Sequence, residues 1–155
     1  MNRASSLAVL CLAALSLSAC ERGHGQMATN GKICIDFKQA KAPLAAGGSE
    51  GATAVDQCVQ RWAYSLASSR DDADIVADAA AAACDAQLSR WNQATLAQPA
   101  GDVQAASLTT GEPTTALAEH NAFTHARALF YVVQARAGRC APPPVVNGAP
   151  EGVAG

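Results

Sequence analysis

Thirty-seven of the 155 residues are alanine, and aromatic residues make up only 5% of the chain. Small unbranched side chains in that number, with few β-branched or aromatic ones to pave a sheet, favour helices that approach one another closely. The apolar periodicity agrees. From Thr53 to about Ser68, the residues Val55, Cys58, Val59, Trp62 and Leu66 fall in one sector of a helical wheel, and Asp56, Gln57, Gln60 and Arg61 lie away from it. Ser68, Ser69 and Arg70 form a turn, after which Asp71 or Asp72 is placed to cap a second helix running to about Leu96. Its apolar sector holds Ile75, Val76, Ala79, Ala80, Ala83, Cys84, Leu88 and Trp91, opposite an acidic stripe of Asp71, Asp74, Asp78 and Asp85.

A third helix is expected from Pro113 to Ala137, with Pro113 at its first position and Gly138 as a left-handed stop. It has two apolar faces. One carries Leu117, Ala128, Tyr131, Val132 and Ala135; the other carries Phe123, Ala126, Phe130, Val133 and Ala137, with thin polar seams containing His120 and His125 between them. A helix apolar on two sides needs cover on two sides. It is therefore either the central element of the bundle, which is the favoured reading, or it offers Phe123, Phe130 and Val133 as a partner surface.

The fold class expected is all-α: a small three-helix bundle with a short extended N-terminal arm, stapled by two disulfides. The arm is the alternation of Ile33, Ile35 and Phe37 with Cys34, Asp36 and Lys38. Residues 1–19 read as a signal peptide, 20–31 as a flexible tether, 32–140 as the helical domain, and 141–155, rich in Pro and Gly, as a disordered tail.

The leader has Arg3 as its positive start and an apolar run over residues 7–17, which suits export and is too short to span a membrane. It closes on Leu17, Ser18, Ala19 and Cys20. This tetrad resembles the lipobox of bacterial lipoproteins, and the resemblance implies acylation of Cys20 and anchoring in a lipid bilayer of the cell envelope, facing the periplasm. Glu21 rather than Asp after the cysteine would, under the sorting rule of enteric lipoproteins, favour the outer membrane. The competing reading is an ordinary secretory peptide cut after Ser16, Leu17 and Ser18.

Export places the remaining Cys34, Cys58, Cys84 and Cys140 in an oxidising compartment, where an even four reads as two disulfides. Cys58 and Cys84 sit at comparable distances from the turn at Ser69 and Arg70, their heights differing by about one helical turn, so a small sliding of the helices would join them. Cys34 then joins Cys140. The pairing of Cys34 with Cys58 and Cys84 with Cys140 competes with it. Zinc is disfavoured because the nearest cysteines lie far outside the C-x2-C spacing of structural sites.

Other chemistry is sparse. His120 and His125 are five residues apart, about 140° around a helix, so they do not chelate one ion as i, i+4 histidines do. The aspartates form no calcium loop, no serine sits in a G-x-S-x-G elbow, and the net charge of −2 carries no basic stripe for nucleic acid. No cofactor or metal is expected. Three classes of function follow: a non-catalytic lipid-anchored module that meets an envelope protein, the cell wall or a second copy of itself; a periplasmic small-ligand binding module; and, least favoured, an enzyme using His120 and His125.

Overall fold

The computed structural model describes residues 33–37, 50–98, 104–107 and 110–153. The leader, Cys20 and the tether lie outside the described residues.

Helices dominate, in the order α1 (Glu50–Leu66), α2 (Ala73–Ala82), α3 (Asp85–Leu96), strands β1 (Gln104–Ala106) and β2 (Pro113–Thr115), α4 (Ala116–Gly138), and strands β3 (Val145–Val146) and β4 (Ala149–Pro150). Among the described residues the three helices expected from periodicity are four, because the second is broken at Ala83 and Cys84. Cys84 leaves helical geometry (φ −108°, ψ 13°), and its N–H reaches only as far back as the Ala81 carbonyl. Cys84 is disulfide-bonded to Cys58, with Cα atoms 5.8 Å apart. The one-turn offset between the two cysteines is taken up by a break at Cys84 itself rather than by sliding of intact helices. The buried face nevertheless keeps one helical phase through the break. Val76, Ala77 and Ala80 are buried before it, and Cys84, Gln87 and Leu88 after it, while Ile75, Ala79 and Ala83 of the expected apolar sector are exposed.

The core is built mainly from Val55, Val59, Ala63 and Tyr64 of α1, Val76, Ala77 and Ala80 of α2, and Ala128, Tyr131, Val132 and Ala135 of α4, around the disulfide of Cys58 and Cys84. α4 packs on α1, α2 and α3 and is the central helix. Its start differs from the expectation. Pro113 belongs to β2, which pairs antiparallel with β1 in the register Gln104 to Thr115, and the helix is capped by Thr115, whose hydroxyl accepts from the Ala118 N–H at 3.2 Å. The stop differs too. Gly138 stays helical and Arg139 takes the left-handed conformation (φ 50°). Glycine is needed at 138 for space: a Cβ there would stand 2.6 Å from the Cys140 sulfur and 2.8 Å from that of Cys34.

Cys34 and Cys140 form the second disulfide, Cα atoms 5.4 Å apart, and it holds the arm against the bundle. The Ile35 N–H donates to the Tyr64 hydroxyl at 3.3 Å, and the Phe37 ring meets Tyr64 edge-on with centroids 5.1 Å apart.

The expectation of a disordered tail is overturned for residues 141–153. Val145 pairs with Pro150 and Val146 with Ala149 across Asn147 and Gly148, both with positive φ (53° and 82°). Asn-Gly is the pair whose backbone tolerates two such residues in a two-residue hairpin turn. Pro143 and Pro150 are buried, and Arg61 donates from Nη1 to the Glu151 carbonyl at 2.6 Å. This explains why Arg61, on the face of α1 expected to be polar and free, is only 6% exposed.

Candidate interaction surface

Where α4 turns away from the core, it presents Ala126, Phe130, Val133 and Ala137 to solvent. Phe130 is 51% and Val133 52% exposed, and Ile75 of the neighbouring α2 is 59% exposed. α2 runs antiparallel alongside α4. It is held just before its start where Arg136 Nη2 donates to the Asp71 carbonyl at 2.8 Å, and at mid-length where His125 Nε2 lies 3.2 Å from Asp78 Oδ1. Ile75 lies between Asp71 and Asp78 along the chain, one turn before Asp78.

The two arginines that flank this face are both engaged by hydrogen bonds within the bundle. Arg127 Nε donates to Asp56 Oδ1 of α1, and its Nη2 donates to the Tyr131 hydroxyl, which in turn donates to Asp56 Oδ2 at 2.9 Å. The hydrogen bond to Asp56 raises the Arg127 pKa, while burial, reinforced by the Asp56 charge, raises that of Tyr131. The guanidinium also lies against the Phe130 ring, 5.2 Å from its centroid. Arg136 donates to the carbonyls of Ala67, Ser69 and Asp71, satisfying acceptors left unpaired at the end of α1 and in the following turn. With these cations occupied by the bundle, the face between them is apolar.

Of the three residues expected to form a partner surface, the structure leaves Phe130 and Val133 outside and folds the third inward. Phe123 is half-buried, edge-on to Trp91 with centroids 5.7 Å apart. Ile75 is a further exposed apolar residue: it sits at the edge of the wide apolar sector expected of the second helix, and burial falls on the side of Val76, Ala80 and Cys84.

The histidines do not converge. His120 is 8% exposed, stacked on Trp91 with centroids 3.5 Å apart and with Nδ1 2.7 Å from Asn92 Oδ1; burial lowers its pKa. His125 reaches outward to Asp78. Asp71, Asp74, Asp78 and Asp85 are all exposed. Asp72 stands at the cap position of α2 without a side-chain hydrogen bond, so the expected carboxylate cap is not made. Among the described residues, no group of three or more His, Cys, Asp or Glu side chains is arranged to hold a metal ion, and no helix is long and apolar enough to cross a membrane.

Several hollows mark the surface. One of about 350 Å³ lies between the ends of α1 and α4 beside Tyr64, Ser65, Arg136 and Pro142, and another of about 280 Å³ lies between α1 and α3 beside Gly51, Gln87 and Trp91. Both open to solvent. The chain matches no protein-family model, no curated protein and no solved structure.

Proposed function

We propose that this chain is a non-catalytic lipoprotein of the bacterial cell envelope, anchored through an acylated Cys20, that presents its helical domain on a tether to a protein or cell-wall partner. The observation that carries the reading is the leader closing on Leu17, Ser18, Ala19 and Cys20, followed by cysteines that pair completely into disulfides. Paired thiols of this kind suit an oxidising compartment. Several acyl chains hold a protein at a bilayer essentially permanently, at about 0.8 kcal/mol per buried methylene. The docking surface is the exposed face of α4, with Phe130, Val133 and Ile75. An apolar face with open hollows around it suits a macromolecular partner better than a small ligand, which favours an enclosed pocket.

Labelling cells with radioactive palmitate tests the anchor. The protein takes up label, Cys20→Ser abolishes uptake, and intact mass places the mature start at residue 20 with acyl groups attached. Unlabelled protein, or native material retaining its leader, would reject the proposal.

A further inference from the structure

We propose that the disulfide of Cys34 and Cys140 is a site of thiol exchange, at which a dithiol entering the hollow between the ends of α1 and α4 attacks Cys140 and releases the arm. The inference goes beyond the docking role and depends on neither the lipid anchor nor the exposed face of α4.

The two disulfides stand in unlike surroundings. Cys58 is 3% exposed and Cys84 0%, so the bond between them lies inside the core, out of reach of a thiol. Cys34 and Cys140 are both half-buried. Cys140 also lines the hollow of about 350 Å³, together with Tyr64, Ser68, Arg136, Arg139 and Pro142. A disulfide is opened by a thiolate, so access and local charge govern the rate. Charge in this hollow favours an anion. The C-terminal ends of α1 and α4 contribute about half a negative charge each, against the full positive charges of Arg136 and Arg139. Arg139 is exposed to the solvent through which a thiolate arrives.

The surroundings also suit the reduced pair. The Gly138 carbonyl oxygen lies 3.6 Å from Cys34 Sγ, and the Gln134 carbonyl oxygen 3.7 Å from Cys140 Sγ. A disulfide sulfur has no hydrogen to donate, whereas a thiol is a weak donor. Each carbonyl therefore gains a partner only when the bond between the sulfurs is reduced. Once it is, the arm keeps only the bond from the Ile35 N–H to the Tyr64 hydroxyl and the contacts of the Phe37 ring with Tyr64 and Arg61.

The exchange runs in two steps. The thiolate of the dithiol bonds to Cys140 Sγ, the bond from Cys140 to Cys34 breaks, and its electron pair leaves on Cys34, which takes a proton from solvent. The second thiol of the dithiol then loses its proton and attacks its own sulfur in the mixed disulfide, and Cys140 leaves as a thiolate that is protonated in turn. The protein disulfide is reduced to two thiols, and the dithiol is oxidised to its own disulfide.

The test uses the full chain, purified in detergent with both disulfides intact and without denaturant. Dithiothreitol followed by iodoacetamide is expected to give a species alkylated at Cys34 and Cys140 alone, with the helical far-ultraviolet spectrum retained. Reduction of the Cys58 and Cys84 bond first, or at the same rate, overturns the proposal. Two monothiols, anionic 2-mercaptoethanesulfonate and cationic cysteamine, then locate the attack, with acid quenching and peptide mapping of the mixed disulfides. The adduct is expected on Cys140. Arg139→Glu is expected to lower the ratio of the anionic to the cationic rate about three- to tenfold, while Arg139→Lys keeps it. A purely structural effect of the substitution changes both rates together and leaves their ratio alone. An adduct on Cys34, or a ratio unmoved by Arg139→Glu, overturns attack through the hollow.

Discussion

At the scale of single residues, His120 and Trp91 show how a polar side chain is accommodated in a small core. The imidazole is buried against the indole and its Nδ1 is matched to Asn92 Oδ1, so the neutral ring is the form the fold accommodates. Burial lowers its pKa below the 6.5 of a free histidine. Between the folded and unfolded pKa values the unfolded chain binds the extra proton, so stability rises with pH through that window. The contribution of His120 is fully present above about pH 6.5 and is lost as the pH falls through the lower folded value. Chemical denaturation of the wild type across pH 4 to 8 should therefore show a rise that His120→Gln flattens. At neutral pH the same variant should cost about 1 kcal/mol from the lost ring stack. Equal pH slopes for the two proteins would show that His120 is not the group responsible.

At the scale of elements, close approach between helices is set by what is missing from a side chain. A Cβ on Gly51, in the first turn of α1, would overlap the Trp91 side chain of α3. Gly51→Ala gains up to about 1 kcal/mol of helix propensity. It also forces Trp91 off its contacts with His120 and Phe123, and overpacking of that kind costs about 1 to 3 kcal/mol. The expected net result is a lower unfolding midpoint with a changed tryptophan emission; a stabilised variant would show that Trp91 moves freely. Much at this scale was legible in the sequence. The amphipathic sector of α1, both faces of α4, the arm and the preferred cysteine pairing all follow from period and spacing. The rest was lost where tertiary demands overrode local ones. The break at Cys84 has no proline or glycine to announce it and coincides with the covalent bond to Cys58 of α1, and the exposure of Ile75 was hidden by an apolar sector wider than the face that is buried. Pro113 suits a helix start, but Thr115, two residues on, is the better capping residue and takes that place. The tail hairpin had a signal, Asn147-Gly148 between short apolar pairs, which the abundance of proline obscured.

At the scale of the whole molecule, the two disulfides do different work. Cys58 and Cys84 are buried between α1 and the helix break and close a loop 26 residues long. Cys34 and Cys140 are separated by 106 residues and tie the arm to the end of α4. In the chain-entropy account the first removes about 3 to 4 kcal/mol of disorder from the unfolded state and the second about 5 kcal/mol. The native contacts differ in the other direction. Losing the first opens the centre of the core, whereas losing the second frees only the arm, with its bond from Ile35 to Tyr64 and its ring contact at Phe37. Cys34→Ala combined with Cys140→Ala should therefore lower the unfolding free energy by several kcal/mol and yet leave a folded helical domain under native conditions. Hydrogen exchange separates the two effects: the Ile35 amide should lose its protection, while those of Val59 and Val132, buried in α1 and α4, should exchange only through global unfolding. If Val59 and Val132 lost protection together with Ile35 under native conditions, the arm would be an integral part of the core and not a strap laid over it.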